Sequence, residues 1–343
     1  MMYTTTTPIL STHELSVGYK KGKNVSVVMQ GLDLRLRQGC VTALLGSNGI
    51  GKSTLLRTIA GAQPALSGSV LLDGRLLQEY DKKELSRRLS LVYTDRTQAG
   101  GLTVCQLVSL GRYPHTGFFG RLDSKDYEIV AQAMRATGIW HKSNSFVAEL
   151  SDGERQKAMV ARALAQETPV ILLDEPTAFL DVASRIDVMF LLHTLAREQG
   201  KAVLLSTHDI SQALLLADEL WVVTHEHTIL QGCTEDLILS GAMQQMFFAP
   251  ERGGVASFDA SVGDFEAALP VSINYNLECN DMVLKHWITN ALRRNGISVD
   301  EEGDTAGRII ASASDDITLL QGGGRESIHC LSVEELLCRV AKQ

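Results

Sequence analysis

One segment near the start of the chain fits the pattern GxxxxGK[ST] at every fixed position; it reads Gly46-Ser47-Asn48-Gly49-Ile50-Gly51-Lys52-Ser53. In such a segment the glycines allow successive backbone N–H groups to turn towards bound phosphates, the lysine adds a positive charge, and the hydroxyl group binds Mg²⁺. These residues, here called the P-loop, therefore predict a site for a nucleoside triphosphate and Mg²⁺. We add Thr54, which follows directly, to the predicted nucleotide contacts.

The residues on either side of the P-loop have the patterns of a strand and a helix. The apolar run CVTALL, residues 40–45, precedes the loop, and TLLRTIA, residues 54–60, continues at helical spacing. A strand, a loop and the start of a helix are the elements that aim backbone N–H groups at phosphates. The context favours nucleotide binding over a glycine turn without chemistry.

Two carboxylates end the apolar run VILLDE, in which Asp174 is followed by Glu175. Carboxylates at the end of a buried strand are costly unless they meet a cation. We predict that Asp174 binds Mg²⁺ and that Glu175 accepts a proton from the water that attacks the γ-phosphate. His208 ends the next apolar run, VLLSTHD, and is predicted to contact the γ-phosphate at the carboxyl edge of a parallel sheet.

The segment LSDGERQ, residues 150–156 and here called the signature, resembles the LSGGQ signature of ATP-binding cassette (ABC) ATPases. The order of motifs over residues 11–245 is similar to a whole cassette domain. The resemblance implies a head-to-tail dimer in which Ser151 and the N–H group of Gly153 meet the ATP of the other copy. It also implies that Tyr19 lies against the adenine ring. Asp152 and Glu154 replace a glycine and the terminal glutamine of the usual signature.

The segment LTVCQLVSLGRYPHTGFFGRL, residues 102–122, resembles ATPase subunits that power the uptake of iron(III) siderophores, haem and cobalamin. That resemblance implies ATP and Mg²⁺ as ligands, a homodimer, and two integral-membrane permease subunits that act with an external substrate-binding protein. It places the chain at the cytoplasmic face of the inner membrane, bound peripherally and without nucleic acid. The family carries a glutamine where this chain has Thr94, and Asp95 or Gln98 are the open alternatives for its role.

Composition agrees with a cytosolic globular protein. The 343 residues are 45% hydrophobic and 21% charged, with a net charge of −8, which argues against general nucleic-acid binding. The apolar runs are too short to span a bilayer, and the N-terminus has no secretory pattern. The six cysteines lack CxxC spacing and are expected to be free thiols.

Two other functions are the alternatives to an importer ATPase of the siderophore, haem or cobalamin group. One is a mechanochemical ABC ATPase that acts on DNA or ribosomes, and the other is a transporter ATPase for another cargo.

The pattern of elements predicts an α/β fold with two domains. Residues 1–250 are expected to form the ABC ATPase domain, with antiparallel strands before the P-loop, a mixed sheet, and a helical subdomain at about 83–165 in which Ser124 caps one helix. Residues 251–343 are expected to form a small α/β domain, either regulatory or structural. His225 and His227 are interpreted as exposed residues of a hairpin turn rather than metal ligands.

Overall fold

The fold is described from a computed structural model. It describes residues 7–93, 101–117, 119–246, 256–259, 263–267, 273–299, 306–321 and 326–340. The chain divides into two compact units, Met1–Pro250 with Phe258–Phe265, and Glu251–Ser257 with Glu266–Gln343. The predicted boundary at residue 250 stays a prediction, because residues 247–255 lie outside the described ranges.

Strands and helices alternate along most of the first unit. In the part of the chain that the structure describes, the strands are β1 (Leu10–Lys21), β2 (Asn24–Leu32), β3 (Arg35–Leu36), β4 (Val41–Leu45), β5 (Ser67–Leu72), β6 (Arg75–Leu76), β7 (Leu89–Val92), β8 (Val170–Asp174), β9 (Ala202–Thr207), β10 (Glu219–Val223), β11 (Ile229–Cys233), β12 (Ala256–Asp259), β13 (Asp264–Ala267), β14 (Ile273–Cys279), β15 (Ile297–Val299), β16 (Gly307–Ala313), β17 (Asp316–Gln321) and β18 (Glu326–Cys330). The α-helices are α1 (Lys52–Ile59), α2 (Lys82–Arg88), α3 (Val104–Ser109), α4 (Ser124–Ala136), α5 (Asp152–Ala165), α6 (Val182–Gln199), α7 (Ile210–Leu216), α8 (Thr234–Leu239), α9 (Met282–Arg294) and α10 (Val333–Val340).

A six-stranded sheet in the order β11-β10-β4-β9-β8-β7 forms the centre of the first unit. Its strands are parallel except for β11, which pairs antiparallel with β10. Every residue of β4, β8 and β9 is buried, as expected for short apolar strands covered on both faces. This confirms the mixed sheet, and it places the carboxyl ends of β4, β8 and β9 side by side.

A second sheet has the strand order β2-β1-β5-β6, with β3 paired to β1. Its strands β1, β2 and β3 come before the P-loop in the sequence, and β5 and β6 come after it. Its described pairs are antiparallel. The antiparallel strands predicted before the P-loop are therefore confirmed, and the first of them, β1, begins at Leu10. This sheet and one face of the central sheet share a hydrophobic core with α1.

The helices α3, α4 and α5 pack around a second core that reaches the other face of the central sheet. The predicted helical range of 83–165 also contains a strand, β7, which forms the edge of the central sheet beside β8. The prediction that Ser124 caps a helix was wrong. Asp123 is the N-cap of α4, because its carboxylate accepts the N–H group of Asp126 while the carboxylate of Asp126 accepts the N–H group of Asp123.

The second unit contains its own mixed sheet, in the order β15-β14-β16-β17-β18, with α9 and α10. Strand β14 is parallel to β15 and β16, and the remaining pairs are antiparallel. Tyr275, Ile288, Ile309 and Leu336 lie in its core. The prediction of a small α/β domain in this part of the chain is confirmed at the level of fold class. Among the described residues, no helix combines the length and apolar character that a membrane span requires.

Candidate functional site

The central sheet brings the predicted nucleotide residues to one edge. Leu45, the last residue before the P-loop, lies opposite Thr207 in the parallel pair of β4 and β9. Asp174 lies opposite Ser206 in the parallel pair of β8 and β9. The P-loop, the two carboxylates and His208 therefore follow three adjacent strand ends, although they are far apart in sequence. This edge is where open α/β sheets bind ligands.

The P-loop follows β4 and leads directly into α1. Gly49 and Gly51 have φ angles of 79° and 113°, a backbone region that residues with side chains rarely adopt. At Gly51 a Cβ atom would also lie 2.2 Å from Cγ1 of Val28, so the position has no room for a side chain. Gly51 caps α1 without a side-chain hydrogen bond, which leaves N–H groups of the first turn for a ligand. This is the arrangement that a phosphate group needs.

Lys52 is buried at the base of the loop. Its Nζ donates to the carbonyl oxygens of Gly46, at 2.8 Å, and Ser47, at 3.2 Å. Burial lowers the pKa of Lys52, and the carboxylates of Glu175 and Asp174 oppose that shift. A buried ammonium group beside open helix N–H groups fits the negative charge of a nucleotide phosphate. Ser53, the predicted Mg²⁺ ligand, is the next residue of α1.

Ser206 organises the two carboxylates at the end of β8. Its Oγ donates to Oδ1 of Asp174 at 2.6 Å and accepts the N–H group of Glu175 at 3.0 Å. The N–H group of Glu175 also lies 3.1 Å from the carbonyl oxygen of Ser206. Glu175 has a φ angle of 46°, in the left-handed region, and these two bonds fix that conformation. No sequence motif predicts a role for Ser206, and only the register of the parallel strands, which pairs it with Asp174, indicates its role.

His208 contacts the predicted general base. Its Nδ1 lies 3.4 Å from Oε2 of Glu175, and both side chains remain partly exposed. His208 and Thr207 also line a pocket of about 150 Å³ together with residues of the P-loop; the other lining residues are Gly46, Ser47, Asn48, Ile210 and Met246. The structure thus brings Glu175, His208 and the P-loop together, as the sequence predicts.

Tyr19 lies on β1, next to the start of α1. Its hydroxyl group is 2.8 Å from Oγ1 of Thr54, and its side chain is 51% exposed. Thr54 is buried, so its hydroxyl group is directed to Tyr19. The exposed part of the Tyr19 ring fits the predicted contact with a flat base. Tyr19 and Thr54 are therefore adjacent to the P-loop, and their contacts with the nucleotide stay predictions.

The signature residues start a different element, the helix α5. Ser151 is its N-cap: its Oγ accepts the N–H group of Glu154 at 3.2 Å, and Oε2 of Glu154 accepts the N–H group of Ser151 at 3.0 Å. Gly153 lies in the first turn, where a Cβ atom would be 3.3 Å from Cδ2 of Leu180. Asp152 pairs with Arg155 at 2.8 Å. Ser151 makes these hydrogen bonds within its own helix.

The segment LGRYPH, residues 110–115, forms a 3₁₀ helix that is tied to the C-terminal end of α5. Arg112 is buried; its Nε donates to Asp126 at 2.8 Å, and its Nη1 donates to the carbonyl oxygen of Ala165 at 2.8 Å and to Glu167 at 2.7 Å. The ring Nε2 of His115 lies 2.9 Å from the carbonyl oxygen of Gln166. These contacts explain why arginine and histidine occur together in this segment, which the sequence alone does not.

A groove of about 530 Å³ lies between α2 and this 3₁₀ helix. Lys82, Lys83 and Ser86 line one side, Tyr113 and Pro114 line the other, and Gln166 also contributes.

Three predicted residues lie outside the part of the chain that the structure describes. They are Thr94, Asp95 and Gln98, the alternatives for the family's glutamine. His225 and His227 are exposed in the turn between β10 and β11, as predicted.

Comparison with known proteins identifies the family. A family model described as ABC transporter matches residues 29–178. The ferric enterobactin transport ATP-binding protein FepC of Escherichia coli is 39% identical over 234 residues, which cover 68% of this chain and 85% of FepC. The iron(3+)-hydroxamate import ATP-binding protein FhuC of Bacillus subtilis is 32% identical over 276 residues, which cover 80% of this chain and 98% of FhuC.

Solved structures of ABC transporters are similar to this chain in fold. An ABC transporter in an inward-facing conformation has a TM-score of 0.60 and 29% identity, over 70% of this chain and 89% of that one. The CbiO1 subunit of the Clostridium perfringens ABC transporter complex CbiONQ has a TM-score of 0.59 and 29% identity, over 70% and 94%. The chain belongs to the ABC transporter family, as an ATP-hydrolysing subunit, and it is similar to the ATP-binding subunits FepC and FhuC.

Proposed function

We propose that two copies of this chain form a head-to-tail ATP clamp that drives the import of an iron(III) siderophore or a related chelate such as haem or cobalamin. The observation that carries the proposal is the edge of the central sheet, where Lys52, Asp174, Glu175 and His208 meet. The cargo rests on the relatives FepC and FhuC, whose names specify ferric enterobactin and iron(3+)-hydroxamate.

Each polar side chain at this edge has a role that its contacts support. Lys52 holds the phosphates, since it is a buried cation at the base of the loop. Glu175 takes a proton from the attacking water, and Ser206 fixes its backbone. His208, in contact with Glu175, orients that carboxylate and reaches the γ-phosphate. Mg²⁺ would be held by Ser53 and Asp174 and would neutralise phosphate charge when bound.

The second copy would supply the signature. Ser151 and the N–H group of Gly153 lie at the start of α5, a helix of 14 residues, where hydrogen-bond donors and the helix dipole favour an anion. They would complete the ATP site of the partner. ATP would then join the two copies, and its hydrolysis would separate them.

The permease would dock in the groove between α2 and the 3₁₀ helix of residues 110–115. This groove presents two lysines, Lys82 and Lys83, beside the exposed ring of Tyr113, so it fits a permease helix with acidic and apolar residues. The chain would bind peripherally at the cytoplasmic face of the inner membrane. Cargo selection would belong to the permease and the external binding protein.

The substitution Glu175→Gln tests the ATP clamp. It removes the proton acceptor but keeps the size of the side chain, so we expect an ATP-bound dimer on a sizing column and ATP turnover at least about 100 times slower than in the wild type. Glu198→Gln, at the exposed C-terminal end of α6, is the matched control and should turn over ATP at the wild-type rate. A Glu175→Gln protein that hydrolyses ATP at the normal rate would refute the role of Glu175.

Uptake in cells tests the cargo. A strain that lacks this gene should lose accumulation of a radiolabelled ferric siderophore, and the wild-type gene should restore it while the Glu175→Gln variant should not. Unchanged siderophore uptake in the deletion strain, together with a functional ATP clamp in vitro, would point to a transporter for a different cargo.

A further inference from the structure

The signature of this chain carries a carboxylate, Glu154, whose two oxygens are both occupied. Oε2 accepts the N–H group of Ser151 at 3.0 Å and lies 3.1 Å from Oγ of Ser151. Oε1 lies 3.2 Å from Nζ of Lys142, the last residue of a short 3₁₀ helix between α4 and α5. The N–H group of Ser151 lowers the pKa of Glu154 most, and Lys142 lowers it further, so the side chain is ionised.

An ionised Glu154 creates a conflict at the proposed ATP clamp. The hydroxyl group of Ser151 has one proton, and that proton is within reach of Glu154. The same proton is the one that Ser151 would donate to the γ-phosphate of the partner's ATP. The carboxylate would also place a negative charge beside the phosphate, where like charges repel.

Lys142 offsets the charge that causes this conflict: it balances the negative charge beside the phosphate, and it makes Oε2 a weaker acceptor for the Ser151 proton, whose contact with Oε2 remains in this structure. Its ammonium group neutralises the carboxylate and binds the oxygen that faces away from the hydroxyl group of Ser151. The pair is partly protected from solvent, with side-chain exposures of 36% for Lys142 and 27% for Glu154, so the charge is less screened than on an open surface. Arg155 has its own partner in Asp152 and hydrogen-bonds the carbonyl oxygen of Leu150, so it serves the other acidic residue of the signature.

We propose that Lys142 is a positioning residue of the signature, which holds and neutralises Glu154 so that Ser151 can donate to the γ-phosphate bound by the second copy. This inference rests on the head-to-tail clamp under Proposed function. It assigns a role in ATP-driven dimerisation to a residue that lies outside the cassette motifs.

The test measures how much ATP is needed to form the dimer, by analytical ultracentrifugation in the Glu175→Gln parent. Lys142→Ala should raise the required ATP concentration about tenfold, because it leaves the charge of Glu154 unpaired. Lys142→Arg should restore the parent value. Lys125→Ala, which removes an exposed lysine at the start of α4, is the matched control and should have no effect.

The decisive comparison is the double variant. Glu154→Gln should lower the ATP requirement, because its neutral amide does not repel the phosphate, and Lys142→Ala added to Glu154→Gln should have no further effect. Thermal unfolding should give similar Tm values for the lysine variants, which separates positioning from folding.

Two results would overturn the inference alone: a parent-like ATP requirement for Lys142→Ala, or a double variant as impaired as Lys142→Ala. A parent that stays monomeric at saturating ATP would instead overturn the proposed clamp and this inference with it.

Discussion

The P-loop and the signature are two halves of one proposed site, and they are built in different ways. The P-loop is shaped by its backbone: two glycines have positive φ angles, Lys52 binds loop carbonyls, and the supporting strand β4 is fully buried. The signature is shaped by side chains: Ser151, Glu154 and Lys142 form a chain of polar contacts at a helix start. The first half is fixed within one chain, and the second half presents groups outwards.

This difference indicates which half responds to its surroundings. Backbone geometry at the end of a buried strand changes little without disturbing the sheet. Partly exposed side chains can exchange their hydrogen-bond partners when a phosphate arrives. The signature is therefore the half that we expect to adjust when ATP joins two copies, and the P-loop is the half that holds ATP in one copy.

Mixing two impaired variants gives the largest expected effect, because it tests whether the two halves act in different chains. Lys52→Ala damages the P-loop and Ser151→Ala damages the signature, so each homodimer has two defective sites, and we expect ATPase rates at least about 100-fold and 10-fold below wild type, respectively. In a mixed dimer, the P-loop of the Ser151→Ala copy meets the signature of the Lys52→Ala copy, and one site is intact.

The ATPase rate of the equimolar mixture should therefore exceed the mean of the two separate variants. The control is a mixture of Lys52→Ala with a copy that carries both substitutions, which contains no intact site. A rate equal to the mean for the first mixture would show that the P-loop and the signature do not cooperate between chains.

A pair of glycine-to-alanine substitutions compares the two halves directly. At Gly51 the φ angle of 113° and the 2.2 Å distance to Val28 leave no room for a methyl group, so Gly51→Ala should cost about 1–3 kcal/mol in strain and abolish nucleotide binding. At Gly153 the added atom would be 3.3 Å from the flexible end of Leu180, and alanine favours the helix.

We expect Gly153→Ala to unfold within a few °C of the wild type and to bind a fluorescent ATP analogue as a monomer, while Gly51→Ala does not bind it. Equal loss of monomer binding in both variants would contradict the distinction between a backbone-built and a side-chain-built half.

Much of this arrangement is predictable from sequence, and the reasons are local. The P-loop pattern and the short, mainly apolar runs before Asp174 and His208 indicate strands, and parallel pairing then brings their ends together. The polar contacts of the helical part are not predictable in this way. Lys142 and Glu154 are 12 positions apart on different elements, and Arg112 contacts residues of both α4 and the end of α5. Such pairs depend on tertiary packing that no short pattern encodes.

Tertiary contacts also decide the structure at two positions where the sequence predicts something else. Serine is a residue type that favours the N-cap, but Asp123 and not Ser124 occupies that position, because it exchanges hydrogen bonds with Asp126. Leu89–Val92 follows directly after α2 and lies within the range for which the sequence predicts helices, but it forms a strand that pairs with β8. In both cases the residue type was compatible with the prediction, and a neighbour along the chain or across the sheet decided the outcome.

Two arginine substitutions sharpen the comparison at opposite ends of α5. Arg112 is buried, with a side-chain exposure of 5%. Arg112→Ala would leave the largely buried Asp126 without its partner, so it should lower the free energy of unfolding by about 3–5 kcal/mol. Arg155 and Asp152 form a more exposed pair, with exposures of 23% and 50%, so Arg155→Ala should cost at most about 1 kcal/mol. Urea unfolding of both variants measures the difference, and equal losses would refute it.

The smallest expected effect concerns Tyr19, the aromatic side chain beside the backbone-built half. Tyr19→Phe removes only the hydroxyl group that contacts Thr54, whereas Tyr19→Leu removes the ring as well. If the exposed ring stacks on adenine, Tyr19→Leu should raise the KM for ATP about three- to tenfold, and Tyr19→Phe should leave it within about twofold. Equal increases in both variants would mean that the bond to Thr54 matters because it positions α1. In that case Tyr19 would act on the helix that follows the P-loop, and nucleotide binding in this half would depend on the loop backbone and Lys52 without a contribution from the Tyr19 ring.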